Sequence, residues 1–322
     1  MKYTPPFKVT TKIIDLISKI SLNIGKLEAI DSTSTLPMLR KVNQIRTITG
    51  TLQIEGNTLD EERITALIEG KRVLGKVDEI AEANGAIALY KMLDNLNFKD
   101  EKELLKSHKI LMDELLKDAG KYRTSDVGVG GKDGVVHVAP PHSQIPKLMN
   151  DLFSWLNETD VHPLIVSSVF HYEFEFIHPF IDGNGRMGRF WQSLILYNWN
   201  NYFSVIPIES IIRDKQQDYY KVLEDCGSNG ESTLFIEFAL ESILEAIDKV
   251  GNKVGNKVGN LTDNQKVIIE QIKLNNKISA SKLAVIVGIS KRKIEENLSK
   301  LKEQGIINRV GGTRGYWEVL LF

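Results

Sequence analysis

The stretch HPFIDGNGRMGR, residues 178–189, joins the end of one apolar run to the beginning of another. The run before it, residues 166–177, is apolar and aromatic enough to predict a buried helix. Pro179 disfavours helical geometry at His178, so we expect the helix to end there, with the imidazole at its C-terminal end. A second helix is predicted from Arg186 to about Trp199. Further helical patterns occur between residues 11 and 249, so we expect a mainly α protein.

The loop carries groups that suit a bound nucleotide phosphate. A histidine titrates near neutrality and can take a proton from a hydroxyl, so His178 is the candidate catalytic base. Asp182 offers the hard oxygen ligand that Mg²⁺ accepts when it also holds phosphate oxygens. Gly183, Asn184 and Gly185 tolerate positive φ, so their N–H groups can converge on an anion where the second helix begins.

Two arginines complete the stretch. Arg186 and Arg189 are three residues apart, hence on one helical face, and each can bind phosphate oxygens with two donors. Each group alone has an ordinary explanation: a loop histidine, a Gly-Asn-Gly turn, or a solvated pair of arginines. Their occurrence together, in the order base, acid, glycine loop, arginine, arginine, favours a nucleotide site.

The stretch resembles the core motif of the Fic-domain family, His-Pro-Phe-x-Asp/Glu-Gly-Asn-Gly-Arg-x-x-Arg, and matches it at every defined position. The resemblance implies a helical core that transfers AMP from ATP to a Ser, Thr or Tyr hydroxyl of a protein, with release of pyrophosphate. His178 would deprotonate that hydroxyl, and Asp182 would hold Mg²⁺. The kinase-like Doc branch has Lys where this chain has Gly185, which favours nucleotidyl over phosphoryl transfer.

The resemblance also assigns the contacts to ATP. Asn184 and the amides of Gly183 and Gly185 would bind the α-phosphate region. Arg186 would bind the inner phosphates and Arg189 the γ-phosphate.

A second match to the family lies at residues 51–57, TLQIEGN, which fits the inhibitory pattern Ser/Thr-x-x-x-Glu-Gly/Asn. In the family, a helix N-terminal to the catalytic core provides this glutamate, here Glu55. A carboxylate paired with Arg189 would occupy the cation that the γ-phosphate needs and would repel the phosphate. The alternative is that Glu55 is an ordinary surface charge before a helix break at Gly56.

Residues 127–138 form two short β-like runs around a Gly/Asp turn. They resemble the family's flap hairpin, which holds the target's hydroxyl-bearing segment by strand addition. A structural hairpin that covers the helices is the alternative. The residues assigned to the target-docking flap are Val127, Val129, Val136 and Val138.

A few other positions are interpreted as structural. His171 lies seven residues before His178, but no third His or Cys accompanies them, so a buried, hydrogen-bonded role is favoured over metal ligation. Arg123, before the flap, is interpreted as a salt-bridge residue, and His108 belongs to no pattern. Residues 58–61, TLDE, predict a capping box that starts a helix ending near Glu69.

Composition is that of an ordinary globular protein. The 322 residues are 42% hydrophobic and 26% charged, which allows two or three domains, and the net charge of −1 gives no global sign of nucleic-acid binding. The single cysteine, Cys226, excludes an internal disulfide and a zinc ribbon and favours a reducing compartment. Residues 1–7 are polar and interrupted by prolines, and no apolar run is long enough to span a membrane. We therefore expect a cytoplasmic protein without a signal peptide or a membrane partner.

The clearest boundary is the tetrapeptide repeat at residues 250–260, VGNKVGNKVGN, which is predicted to be a linker because it has no burial pattern. Before it we predict an N-terminal helical region, 1–100, which carries the inhibitory helix, and a catalytic core, 101–249. After it, residues 261–322 predict three helices and two β-runs around Gly311 and Gly312. That order resembles a small winged helix-turn-helix domain.

The tail from residue 261 has eleven Lys/Arg and six Asp/Glu, a net charge of +5. Lys291, Arg292 and Lys293 begin its third helix, where they can meet phosphates or base edges in a major groove. Glu295 and Glu296 follow at once and would face the same groove. A module that docks a protein or a second copy of the chain is therefore the alternative to DNA binding.

These patterns lead to three functions. The first is an Mg²⁺-dependent protein adenylyltransferase that uses ATP, modifies itself or another protein, and is held inactive by Glu55. The second is the reverse reaction, in which Glu55 is the base for a water that removes AMP from a modified hydroxyl. The third is a DNA-binding regulator whose core only senses ATP. The sequence specifies neither the target, nor the nucleotide preference, nor the oligomeric state.

Overall fold

The computed structural model describes residues 3–30, 36–131, 134–259, 261–303, 306–311 and 315–319. Helices dominate this part of the chain, which confirms the mainly α prediction. Its strands form two antiparallel hairpins of two strands each. In the ranges described, no helix is both long enough and apolar enough to cross a membrane.

The helices, numbered in chain order, are α1 (Thr11–Ile30), α2 (Leu36–Ile54), α3 (Glu61–Ile68), α4 (Val77–Tyr90), α5 (Glu101–Met112), α6 (Ile145–Glu158), α7 (Pro163–Ile177), α8 (Asn184–Trp199), α9 (Ile208–Asp214), α10 (Gln216–Asn229), α11 (Thr233–Gly259), α12 (Asp263–Leu274), α13 (Ala280–Val287) and α14 (Lys291–Glu303). The strands are β1 (Gly128–Gly131), β2 (Gly134–Val138), β3 (Ile307–Val310) and β4 (Tyr316–Val319).

The chain divides into two compact units. The first comprises Met1–Leu22 and Asn43–Ala246, and it contains α3 to α10 with the β1–β2 hairpin. The second comprises Asn23–Val42 and Ile247–Phe322, and it contains α12 to α14 with the β3–β4 hairpin. The boundaries near residues 100 and 250 remain predictions.

The first unit is organised around α7, whose side chains are buried on nearly all sides. Such a helix has no polar face to turn toward solvent and belongs in the centre of a core. The Phe170 ring stacks with Phe174 at 5.9 Å and with Trp191 of α8 at 6.2 Å between ring centroids. Phe180, in the loop between α7 and α8, is 6.1 Å from Phe174. This aromatic packing holds both helices and the loop that joins them.

Helix α3 begins with a different cap from the one predicted. Its N-cap is Asp60, whose carboxylate accepts a hydrogen bond of 2.9 Å from the Arg63 N–H. The Thr58 hydroxyl donates instead to Glu79 Oε2 of α4 at 2.8 Å. The predicted capping box was wrong because a tertiary contact takes the threonine, while an aspartate two residues later is an equally good cap.

The repeat at residues 250–260 also differs from the expectation. Helix α11 continues through it to Gly259, and Asn260 lies outside the described residues. A period of four residues is close to the 3.6 residues of a helical turn, so a repeated tetrapeptide is compatible with a continuous helix despite its glycines. The segment is therefore helical rather than an irregular linker.

In the second unit, three helices and a hairpin follow one another in the predicted order. Apolar side chains from all three helices form one buried cluster, which includes Ile268, Leu283 and Ile294. The Trp317 N–H donates to the Asn276 carbonyl at 2.7 Å and so ties β4 to the segment after α12. Gly312, in the predicted turn, lies outside the described residues, and the winged-helix assignment remains a prediction.

Candidate active site

His178 directly follows α7, as predicted, in a left-handed conformation with φ 49° and ψ 60°. Among the described residues it is the one non-glycine residue with positive φ. Its N–H donates to the Phe174 carbonyl at 3.0 Å and closes the last helical turn. Because a residue with a Cβ is disfavoured in this region, the surrounding structure must hold it there, which is typical of functional positions.

Gly183 begins the next helix as its N-cap, with φ 82°. A Cβ at this position would lie 2.9 Å from Met112 Sδ, so glycine is needed both for its conformation and for space. Helix α8 starts at Asn184, two residues before the predicted Arg186. Its first N–H groups lie at the positive end of the helix dipole, where an anion is stabilised.

The Asn184 side chain braces the loop. Its Oδ1 accepts a hydrogen bond from the Phe180 N–H and its Nδ2 donates to the Phe180 carbonyl, both at 2.9 Å. Both ends of the amide are therefore used inside the loop, and Asn184 shapes the turn whose N–H groups face the site. A direct contact of its side chain with a nucleotide remains a prediction.

Asp182 is exposed on the loop and already contacts one of the arginines. Its Oδ1 accepts hydrogen bonds from Arg186 Nη2 at 3.0 Å and from the Gly183 N–H at 2.5 Å. The described ranges contain no group of three His, Cys, Asp or Glu side chains able to hold a metal by themselves. A single exposed carboxylate fits Mg²⁺, which needs one or two protein ligands and takes phosphate and water oxygens for the rest.

Arg189 is buried, with 1% of its surface exposed, and it is paired with Glu55. Its Nη2 donates to Glu55 Oε1 at 2.5 Å and to the Thr51 carbonyl at 3.2 Å, while its Nε donates to Thr51 Oγ1 at 2.9 Å. Burial disfavours the charged guanidinium, but the attraction of Glu55 outweighs burial and raises the pKa of Arg189. Glu55 is therefore not an ordinary surface charge.

The turn after α2 delivers Glu55 to this position. The N–H groups of Glu55 and Gly56 donate to the carbonyls of Leu52 and Gln53, each at 3.1 Å, and Gly56 has φ 90°. The carboxylate then lies against the α-carbon of Gly185, where any Cβ would collide with Glu55 Oε1. It occupies the space over the first turn of α8, which is where an anion would bind.

Arg123 connects the histidine to the flap, a role that the sequence did not indicate. Its buried guanidinium donates from Nε to the His178 carbonyl at 2.8 Å and from Nη2 to the Pro140 carbonyl at 2.6 Å. Its Nη1 donates to the Ser125 carbonyl at 2.8 Å. The predicted salt bridge is minor, because the nearest carboxylate, on Asp126, is 3.9 Å away.

His108 of α5 supports the loop and was also missed. Its Nδ1 accepts a hydrogen bond from the Gly120 N–H at 2.8 Å, so the neutral ring carries its hydrogen on Nε2 and donates to the Asp182 carbonyl at 2.9 Å. The ring also stacks on Phe180 at 3.6 Å between centroids. Burial lowers the pKa of His108 to about 4, which keeps this arrangement neutral at physiological pH. A single histidine 74 positions from its partner gives no sequence signal.

His171 has the buried, hydrogen-bonded role that was predicted for it. Its Nδ1 lies 2.8 Å from Gln192 Oε1 and its Nε2 lies 3.1 Å from the Tyr219 hydroxyl. These contacts hold α7 against α8 and α10. Both ring nitrogens of His171 are used in them, so the ring has a structural role.

The predicted flap is an antiparallel hairpin, β1 with β2, whose register shifts between Val129 and Gly130. Val127 lies just before β1, and the other three valines assigned to target docking lie in the strands. The side chains of Val129, Val136 and Val138 are outside the described residues. Target docking by the flap therefore remains a prediction.

The basic residues of the second unit lie at the start of α14, as expected, with their side chains exposed. Lys291 Nζ is 3.6 Å from Glu295 Oε1, and Arg292 Nε donates to Glu296 Oε1 at 3.1 Å. Two of the three candidate DNA contacts are thus partly neutralised by acids one turn away.

This arrangement defines a class of site: a helix N-terminus that can bind an anion, beside a histidine, in an otherwise helical core. A family model described as the Fic/DOC family matches residues 98–196. The crystal structure of a Fic family protein from Desulfovibrio desulfuricans G20 is similar along nearly the whole chain, with 38% identity, 98% of both chains covered and a TM-score of 0.74. The chain belongs to the Fic family.

Curated relatives carry a more specific description. The protein adenylyltransferase Fic of Nematostella vectensis is 30% identical over 242 residues, which cover 70% of this chain and 53% of that protein. The protein of the same name from Aedes aegypti is 30% identical over 219 residues, or 65% of this chain and 42% of that protein. The chain spans about half the length of the curated relatives it matches.

Proposed function

We propose that this protein is an Mg²⁺-dependent protein adenylyltransferase that uses ATP and is held inactive by Glu55. The observation that carries the proposal is the ion pair between Glu55 and the buried Arg189 at the first turns of α8. A carboxylate there holds the cation that the motif provides for a phosphate. The curated relatives named protein adenylyltransferase Fic support the same reaction.

The site has donors suited to phosphate oxygens. In the described structure, Arg186 Nε, Arg186 Nη1 and Arg189 Nη1 are buried without a hydrogen-bond acceptor. A buried donor without an acceptor costs about 1–3 kcal/mol, so a ligand with several oxygens would recover that energy. We infer that the phosphates of ATP lie along the first turn of α8, with the N–H groups of residues 183–185 around the α-phosphate.

His178 takes the proton of the target hydroxyl, and the hydroxyl oxygen attacks the α-phosphorus. The bond from that phosphorus to the oxygen bridging to the β-phosphate breaks, and pyrophosphate leaves with the bonding electrons. Asp182 would hold Mg²⁺, which when bound neutralises negative charge on the phosphates. The Arg123 and His108 contacts fix the backbone of His178 and Asp182, so base and metal ligand keep their positions during the reaction.

Glu55 inhibits because Arg189 cannot pair with both a carboxylate and the γ-phosphate. Negative charge over the first turn of α8 also repels the phosphates of ATP. Without productive placement of the phosphates, the α-phosphorus is not aligned with the target hydroxyl.

Radiolabelled ATP tests this function directly. We expect Glu55→Gly to transfer label from the α-phosphate of ATP to protein, itself or a supplied target, well above the wild-type level. Glu62→Gln, which removes an exposed carboxylate from the first turn of α3, is the matched control and should behave as the wild type. Equal labelling by wild type and Glu55→Gly would contradict the proposal.

The position of Glu55 supports a second candidate, removal of AMP from a modified hydroxyl. A carboxylate over the helix N-terminus is placed to take a proton from a water that attacks a phosphorus bound there. A protein modified beforehand by Glu55→Gly would then release AMP with the wild type but not with Glu55→Gly. No release by either protein would exclude this direction.

A further inference from the structure

Glu82 of α4 contacts the first motif arginine, Arg186, at a different nitrogen from the loop residue Asp182. Its Oε1 lies 3.3 Å from Arg186 Nη1, and Asp182 Oδ1 lies 3.0 Å from Arg186 Nη2. The guanidinium itself is buried. Within the part of the chain that is described, Arg186 thus has two acidic neighbours, one from the loop and one from α4.

Asp182 and Glu82 differ in their exposure to solvent and in whether they are candidates to bind Mg²⁺. The Asp182 side chain is 57% exposed and the Glu82 side chain 23%. Asp182 is also the candidate Mg²⁺ ligand, and a carboxylate that turns toward a cation leaves its arginine. Glu82 would then be the remaining counter-charge of a buried guanidinium, which is costly to leave without one.

The position of Glu82 relative to the donors of Arg186 matters for phosphate binding. A planar guanidinium binds an oxyanion with two parallel donors, and Nε and Nη2 form one such edge. Glu82 approaches Nη1, outside that edge, and pairs with it through charge at 3.3 Å without forming a hydrogen bond. Nε has no acceptor among the described residues, and Nη2 is held only by Asp182. The contact with Glu82 therefore leaves the Nε/Nη2 edge available for a phosphate.

Asn57 in turn holds Glu82. Its Nδ2 donates to Glu82 Oε2 at 2.8 Å and to the Glu79 carbonyl at 3.0 Å, and its Oδ1 accepts from the Leu59 N–H at 3.0 Å. This buried amide lies two residues after Glu55. The segment 55–57 consequently reaches both motif arginines, one directly through Glu55 and the other through Asn57 and Glu82.

We propose that Glu82 is a positioning residue for the transfer: it fixes the Arg186 guanidinium so that its Nε/Nη2 edge faces the inner phosphates of ATP. Asn57 fixes Glu82. The inference rests on the proposed function and deepens it. Glu82 touches no reacting atom and acts through Arg186.

The test compares ATP dependence in the Glu55→Gly background, where the transfer can be measured. Glu82→Gln keeps the shape of the side chain and removes its charge. We expect KM for ATP to rise on the order of tenfold, the lower range for partners that orient a ligand-binding group. Glu79→Gln, three residues earlier on α4, is the matched control, since its carboxylate contacts Thr58 and Lys76 instead. Its KM should stay unchanged.

A role limited to stability would lower the melting temperature of Glu82→Gln and leave KM unchanged, and that result would overturn the inference. A lower KM would overturn it too, because Glu82 would then compete with phosphate. If Glu82→Gln does not fold, Glu82→Asp keeps the charge on a shorter side chain and should raise KM to a smaller extent. An unchanged KM in Glu82→Asp would count against positioning.

Calorimetry separates this inference from the proposed function. Binding of an ATP analogue with a methylene group between the α- and β-phosphorus needs no transfer. Glu82→Gln should weaken that binding in the Glu55→Gly background, by a factor similar to the change in KM. If Glu55→Gly binds the analogue but labels no protein, the proposed function fails while the effect of Glu82 is still measured. Equal binding with and without Glu82→Gln would overturn the positioning role.

Discussion

Arg186 and Arg189 are three residues apart on α8, yet their acidic partners hold them in different ways. Glu55 and Thr51 occupy Nη2 and Nε of Arg189, the edge that would bind a phosphate with two donors. Glu82 contacts Arg186 at Nη1 and leaves that edge to the loop and to a ligand. The comparison teaches that the role of a carboxylate beside an arginine depends on which donors it takes. In the two proposals above, the first contact would block its cation and the second would orient its cation.

The two carboxylates also come from different kinds of structure. Glu55 lies in a turn after α2, and Glu82 lies within α4. A turn that ends in Gly56 can be displaced without unfolding a helix, whereas a carboxylate within a helix moves only with it. The turn therefore suits the removable inhibition proposed for Glu55, and the helix suits the fixed support proposed for Glu82.

The largest expected effect concerns the candidate base, His178. The roles of the two arginines in transfer can be compared only if His178 supports that reaction. In the Glu55→Gly background, His178→Ala should reduce transfer by at least ~100-fold, the lower range for loss of a general base, with little change in ATP affinity. Labelling rates and calorimetry measure the two quantities. Transfer that persists in His178→Ala would remove the proposed mechanism and leave only a nucleotide-binding role for the arginines.

The second prediction separates the arginines. Glu55→Gly should raise transfer in the wild-type background because it frees Arg189, and the gain should disappear with Arg189→Ala. With Arg186→Ala, the absolute rate should be low but the ratio between Glu55→Gly and Glu55 should persist, since Glu55 does not contact Arg186. A gain of the same size in all three backgrounds would show that Glu55 does not act through Arg189.

The smallest expected effect concerns the exposed charges on α14, which contrast with the buried guanidinium of Arg189. If Lys291, Arg292 and Lys293 each contact a DNA phosphate, log K should fall with log salt with a slope of about −2.7, from about 0.9 counterion per contact. Their replacement by Ala should flatten the slope and leave labelling by Glu55→Gly intact. A tail that binds no duplex, or whose removal abolishes transfer, would favour the protein-docking or dimerising alternative.

Much of the candidate site could be predicted because its groups are close in sequence. Base, acid, glycine loop and arginines lie within residues 178–189, and local rules set where the helices on either side end and begin. The pairing of Glu55 with Arg189 was anticipated only through the family pattern, since 134 positions separate the two residues. Local rules were less reliable elsewhere. Thr58 was assigned a cap that Asp60 provides, and the repeat after residue 250 is helical although it shows no burial pattern.

The sequence by itself determined a mainly α protein, a twelve-residue candidate site and a basic tail, because helix limits and motif order depend on neighbours in the chain. The tertiary structure alone decided that Arg123 ties His178 to the flap, that His108 holds the Asp182 carbonyl, and that Glu82 contacts Arg186. Each of these is a single residue with no periodic pattern. Only packing brings it to its partner, and only packing selects which donors of a guanidinium are taken and which remain for a phosphate.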